Sequence, residues 1–235
     1  MPDPRVVTHQ TAFLIDLDGT LVDSVYQHVL AWQEALEVAG IQLAVWRIHR
    51  RIGMSGGLFV GGLLRETGRP FDAATVTSLQ RAHTEAYQRR AGRVRLLPGA
   101  RELLQHLSDQ AVPWAVATSG LLEASRPTLQ LLGVPAEVPV VTRDQVAHAK
   151  PDPDLFLAAA ERLGVDITDA VVVGDSVWDL LAARRARALG VGLLSGGYGR
   201  EELERAGAYR VYDDPADLLA HLDEVGVRTS DPPAG

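Results

Sequence analysis

Short apolar runs and helical periodicities alternate along most of this chain. The first run, Phe13-Leu14-Ile15, ends on Asp16 and reads as a strand buried on both faces, as in a parallel sheet. Val25, Val29, Trp32 and Leu36 then recur near helical spacing over 24–40, with Ser24 placed to cap the helix and Gly40 to stop it. Residues 44–52 form a second, arginine-rich helical stretch. Gly53-Met54-Ser55-Gly56-Gly57 reads as a flexible loop that leads into Leu58 to Arg65, and 72–91 as a further helix. Nothing between 24 and 92 reads as a strand.

After Leu97-Pro98-Gly99 the pattern changes to alternating strands and helices. Helices are expected over 100–109, 121–132, 154–163, 177–189 and 215–224. Strands are expected over 114–117, 138–141, 170–173, 191–194 and near 209–211. This order implies an α/β fold with a doubly wound, mostly parallel, Rossmann-like sheet. The core would comprise 1–22 and 97–235, with an all-helical cap inserted over 23–96. The tail 228–235 is polar and proline-rich and reads as frayed.

Composition narrows the classes of partner. With 46% apolar residues, a net charge of −7 and a pI near 5.5, the chain reads as a soluble acidic protein with no nucleic-acid surface. There is no cysteine, so thiol chemistry and disulfides are excluded. No apolar run approaches the ~18 residues of a membrane span, and no signal-peptide core precedes residue 10, so the cytoplasm is the expected location. Of 23 basic residues one is lysine, Lys150, and the other 22 are arginines. That contrast singles out Lys150 as a position where a compact ammonium serves better than a planar fork.

The unusual polar residues fall where strands end. Asp16 and Asp18 follow the first strand, Thr118 and Ser119 follow 114–117, Gly174-Asp175 follows 170–173, and Lys150 lies between the strand at 138–141 and the next helix. Parallel strands bring these ends to one edge, where open α/β sheets bind ligands. Side chains two apart on a strand face the same way, so Asp16 and Asp18 are expected to converge. Acids that close repel unless a cation lies between them, and hard carboxylate oxygens favour Mg²⁺. Gly19 supplies the turn after the pair. Carboxylates, hydroxyls and one ammonium at a single rim suit a phosphate dianion held beside Mg²⁺.

These stretches also resemble, in order, the motifs of the haloacid dehalogenase-like superfamily. Asp16-Leu17-Asp18-Gly19-Thr20-Leu21-Val22-Asp23-Ser24 resembles the first motif, Ala117-Thr118-Ser119 the second, Lys150 in Lys-Pro-Asp-Pro-Asp the third, and Gly174-Asp175-Ser176-Val177-Trp178-Asp179 the fourth. A helical insert after the first motif resembles the first cap class, as in phosphoglycolate phosphatases and β-phosphoglucomutases. The resemblance implies an Mg²⁺-dependent phosphatase acting on a small phosphorylated metabolite, with Asp16 as nucleophile and Asp18 as general acid and base. It implies metal contacts from Asp16, the Asp18 carbonyl, Asp175 and Asp179, and phosphate contacts from Thr118, Ser119, Lys150 and the backbone at Gly19. In the cap, His28, Arg51 and Ser55 are candidate substrate contacts. His28 and Trp32 have the spacing seen in β-phosphoglucomutases, so a phosphosugar mutase is the alternative. The Gly-Asp-Ser-x-x-Asp form favours a phosphatase. A non-catalytic phosphometabolite-binding protein is the remote alternative. A monomer or weak homodimer is expected.

Overall fold

The computed structural model describes residues 11–68 and 72–227. The tail expectation for 228–235 lies outside the described residues. Six strands form one sheet: β1 (Ala12–Ile15), β4 (Trp114–Ala117), β5 (Val140–Val141), β6 (Ala170–Gly174), β7 (Leu189–Leu193) and β8 (Ala208–Tyr212), in the order β5-β4-β1-β6-β7-β8. Every pairing in it is parallel. β1 is central, and all four of its residues are buried. Its side chains alternate between two cores. Phe13 and Ile15 pack with Leu103, Leu104 and Leu107 of α5 (Ala100–Asp109) and Leu218 of α10 (Pro215–Ala220). Leu14 packs on the other face with Leu155, Phe156 and Ala159 of α7 (Asp154–Leu163) and Ala182 and Ala183 of α8 (Val177–Ala186). Helices on both faces make the sheet doubly wound, as the strand–helix alternation implied.

The chain between the first two sheet strands is helical apart from a short ribbon. That ribbon pairs β2 (Val22–Asp23) with β3 (Arg95–Leu96) in antiparallel fashion and joins the two ends of the insert. Between them lie α1 (Val25–Val38), α2 (Val45–His49), α3 (Gly56–Glu66) and α4 (Ala73–Gln88). These form a helical cap with its own core, including Trp32, Leu36, Ile48, Phe59, Leu63 and Leu79.

Several local expectations need correction. Ser24 makes no side-chain cap at α1, because its hydroxyl is donated to Asp18 instead. The loop after α2 ends at Ser55, and Gly56 and Gly57 already lie in α3. The strand expected over 138–141 shrinks to Val140–Val141. Arg187 takes a left-handed conformation and ends α8, so β7 starts at Leu189 rather than 191. Helix α6 (Leu122–Leu132) matches its expected span and carries Pro127 inside it. The last helix stops at Ala220, with a 3₁₀ turn over Leu222–Val225. α9 (Arg200–Ala206) was not anticipated at all.

Leu14 is fully buried between β4, β6 and the α7–α8 face. Leu14→Ala is expected to lower unfolding free energy by about 2–5 kcal/mol, read from denaturant titration, because the rigid sheet cannot collapse into the gap.

Candidate active site

The edge beyond the carboxyl ends of β1, β4 and β6 gathers a buried polar cluster. β1 delivers Asp16, whose backbone N–H donates to Val173 O of β6 at 2.9 Å. β6 runs into Asp175, and the first turn of α8 carries Asp179. Ligand atoms of Asp16, Asp175 and Asp179 lie within 4.8 Å of one another, and all three residues are buried. Lys150 is fully buried among them. Its Nζ contacts Asp16 Oδ1 and lies 2.7 Å from Asp179 Oδ1. Thr20 Oγ1 reaches Asp175 Oδ1 at 3.1 Å and Asp16 Oδ2 at 3.5 Å. Asp179 Oδ2 accepts from the backbone N–H and the hydroxyl of Ser176, at 3.1 and 2.5 Å. Those bonds cap α8 and lock the carboxylate in place.

Three carboxylates face one ammonium, so full ionisation would leave a formal charge of −2 in a buried space. Burial, opposed by Lys150 and reinforced by Asp179, pushes the Asp16 carboxyl up to about 7. Burial, then the Asp179 and Asp16 charges, also raises Asp175 well above the usual carboxylate range. Burial alone would lower Lys150, but the Asp16 and Asp179 charges more than reverse it and hold the ammonium charged. An all-oxygen donor set that carries surplus negative charge fits a hard divalent cation.

Asp18 does not join this cluster. Its charge still bears on the cluster: it raises the Asp16 carboxyl, and Lys150 lowers its own. Asp18 turns toward the cap. Its Oδ1 accepts from Ser24 Oγ at 2.6 Å and pairs with His28 Nε2 at 3.3 Å. Burial would raise its carboxyl, but the charge and hydrogen bond of His28, with the bond from Ser24, outweigh that and lower it. The two aspartates of one motif thus sit in opposite electrostatic settings.

Glycines make room for the acids. Gly19 has φ +86°, and a Cβ there would lie 2.5 Å from Asp175 Oδ2. A Cβ on Gly196, in the loop after β7, would lie 1.7 Å from the same oxygen.

The remaining candidates divide. Thr118 is buried at the end of β4, and its Oγ1 accepts from the Gly120 N–H at 3.0 Å, which frees the hydroxyl proton for donation. Ser119 instead donates to Gly53 O of the cap loop at 3.0 Å. Ser55 is buried, and its backbone N–H donates to Lys150 O at 3.1 Å. Arg51 is taken up by Glu66 at 2.5 Å and by Arg47 O at 2.9 Å, so its guanidinium serves the cap's own structure. Arg50 pairs with Glu202, and His49 Nε2 donates to Gly196 O at 2.8 Å. The basic stretch of α2 therefore latches the cap to the core. Thr20, Ser176, Gly196 and His83 escaped the sequence reading. Thr20 and Ser176 lie inside quoted motifs, whereas nothing local marks Gly196 or His83.

Comparison with known proteins agrees with this geometry. Residues 10–187 match the family model described as haloacid dehalogenase-like hydrolase. The chain is 33% identical over 216 residues to phosphoglycolate phosphatase of Rhodospirillum rubrum, covering 88% of each protein. It is 33% identical over 176 residues to hexitol phosphatase A of Escherichia coli, covering 74% of this chain and 78% of that one. A solved hydrolase structure from Pseudomonas syringae superposes with a TM-score of 0.90 at 53% identity, over 93% of this chain and all of that one. The chain belongs to the haloacid dehalogenase-like hydrolase family, and it is an enzyme of that class.

The raised carboxyls make a pH prediction. An acid whose folded pKa exceeds its unfolded value favours the folded state while protonated and loses that advantage as pH climbs from about 3.8 toward 7. Buried His83, held well below its ordinary value by burial and by the charge of His28, pulls the other way near pH 6. The quantity to read is therefore the difference in melting temperature with and without a divalent cation. That gain should widen from pH 5.5 to pH 8; a gain of equal size at both would contradict the assignment.

Proposed function

We propose that the protein is a phosphatase that hydrolyses a small phosphorylated metabolite through a phosphoryl group carried on Asp16. The observation that carries this reading is the buried Asp16–Lys150–Asp179 arrangement beside Asp175, at the ligand-binding edge of the sheet. Hexitol phosphatase A and phosphoglycolate phosphatase, both phosphatases by name, support the reaction class. We also take 23–96 as the cap and 1–22 with 97–235 as the core.

Asp16 attacks phosphorus, and the bond from phosphorus to the leaving oxygen breaks. A second displacement, by water, frees phosphate and restores the carboxylate. Lys150 favours the ionised form of Asp16 against the burial that opposes it, orients the carboxylate, and neutralises charge on the arriving dianion. Thr118 donates its hydroxyl to a phosphate oxygen. Asp18 gives a proton to the leaving alkoxide and later accepts one from water. Its lowered carboxyl suits the base step. For the acid step, the incoming dianion raises the Asp18 pKa by like-charge repulsion and drives proton uptake. Mg²⁺ would be held by Asp16, Asp175 and the Asp18 carbonyl, with Asp179 in support. When bound, it neutralises the surplus acidity of the cluster and screens the dianion from Asp16. The cap selects the leaving group, since the core chemistry concerns the phosphate alone.

Assay with p-nitrophenyl phosphate tests the reading. Wild type should turn over with Mg²⁺ and lose activity in EDTA. Asp16→Asn should fall by at least about 10³-fold while keeping its circular dichroism, as expected when a nucleophile is removed. Wild-type activity in Asp16→Asn would overturn the assignment. The mutase alternative makes its own demand: interconversion of phosphosugar isomers without release of phosphate.

A further inference from the structure

His83 lies on α4, with no contact to the acidic cluster, yet it ends a chain of groups that begins at Asp18. His28 Nε2 stands 3.3 Å from Asp18 Oδ1, and His28 Nδ1 stands 3.2 Å from His83 Nε2. An ionised carboxylate can only accept, so His28 Nε2 carries the hydrogen that faces Asp18. The hydrogen bond between His28 Nδ1 and His83 Nε2 then holds the opposite edge of the same ring. Packing holds the two rings against rotation. His28 stacks on Tyr87 with centroids 3.9 Å apart and planes 4° apart, and His83 stacks on Trp32 at 4.2 Å. Trp32 in turn stacks on Phe59 at 4.2 Å.

Asp18 Oδ1 takes both the Ser24 and the His28 hydrogen bonds. That leaves Oδ2 as the oxygen for proton exchange with the leaving group. If the His28 ring flipped, a ring carbon would face Oδ1 in place of Nε2, and the carboxyl would lose this alignment.

We infer that His83 is a positioning residue for proton transfer by Asp18: its hydrogen bond fixes the ring of His28, and that ring holds the Asp18 carboxyl in the orientation in which it meets the leaving group. The inference rests on the role given to Asp18 above.

The test uses leaving groups of different basicity. Phenoxide needs a proton as it departs, whereas p-nitrophenoxide needs little. His83→Phe keeps a stacking ring but removes the hydrogen bond; His83→Gln keeps a hydrogen-bonding amide where Nε2 was. kcat/KM is the right parameter, because it reports steps through release of the first leaving group. His83→Phe should lower kcat/KM for phenyl phosphate by about tenfold, a fraction of the 10²–10⁴ that a general acid supplies. The loss with p-nitrophenyl phosphate should stay under about threefold, and His83→Gln should remain close to wild type on both esters. Equal losses on both esters would assign His83 a merely structural role and overturn the inference. So would an unchanged rate with phenyl phosphate, or a glutamine variant no better than the phenylalanine one. Asp18→Asn separates the two readings. If it loses phenyl phosphate turnover while His83→Phe does not, only the present inference fails. If Asp18→Asn loses nothing, the role of Asp18 itself fails.

Discussion

One buried ammonium among three buried carboxylates is the constraint around which this molecule is arranged. A charge in that setting costs several kcal/mol to desolvate unless it is paired, and pairing demands fixed geometry. Lys150 meets that demand only because three elements converge: β1 for Asp16, β6 for Asp175 and the first turn of α8 for Asp179. The packing behind them is dense and aliphatic. Leu14, Val172, Leu155 and Phe156 leave the polar groups no room to drift. The Lys150 ammonium also faces the Phe156 ring, 5.3 Å from its centroid, so core and cluster share a wall.

From that constraint the division of labour between the two motif aspartates follows. Asp16 sits in the crowded, negatively charged interior, where burial raises its carboxyl and Lys150 opposes the rise. Asp18 sits against the cap, where His28 and Ser24 stabilise its charge. Two carboxyls with separated proton affinities suit two roles, one covalent and one in proton transfer. The cap is thus more than a lid. Through His28 it reaches the catalytic edge, through His49–Gly196 it is fastened to the loop that packs against Asp175, and through Arg50–Glu202 it is fastened to α9.

Much of the arrangement was legible in the sequence because strand runs and their polar ends are local signals. Phe13-Leu14-Ile15 before Asp16, and Val171-Val172-Val173 before Gly174-Asp175, declare both a buried strand and what stands at its end. The rest was not local. α9 has Leu203 and Ala206 as its only buried residues, too few to set a period. α8 ends on Arg187 in a left-handed conformation where a glycine would have announced the stop. Asp18 was read as a partner of Asp16, but its bonds to Ser24 and His28 of the cap could not be read from its neighbours in sequence. His83 was silent because its partner lies 55 residues away on another helix. Ser119, read as a phosphate contact, donates to the cap loop, and Arg51, read as a substrate contact, pairs with Glu66, neither of which shows in the local sequence.

The central claim is that phosphorus passes through a covalent stage on Asp16. The most direct test is stereochemical, with a phosphate ester made chiral at phosphorus by oxygen isotopes. Two successive in-line displacements, first by Asp16 and then by water, should release phosphate with net retention of configuration. Net inversion would mean that water attacks the ester in a single step, and the account would be wrong.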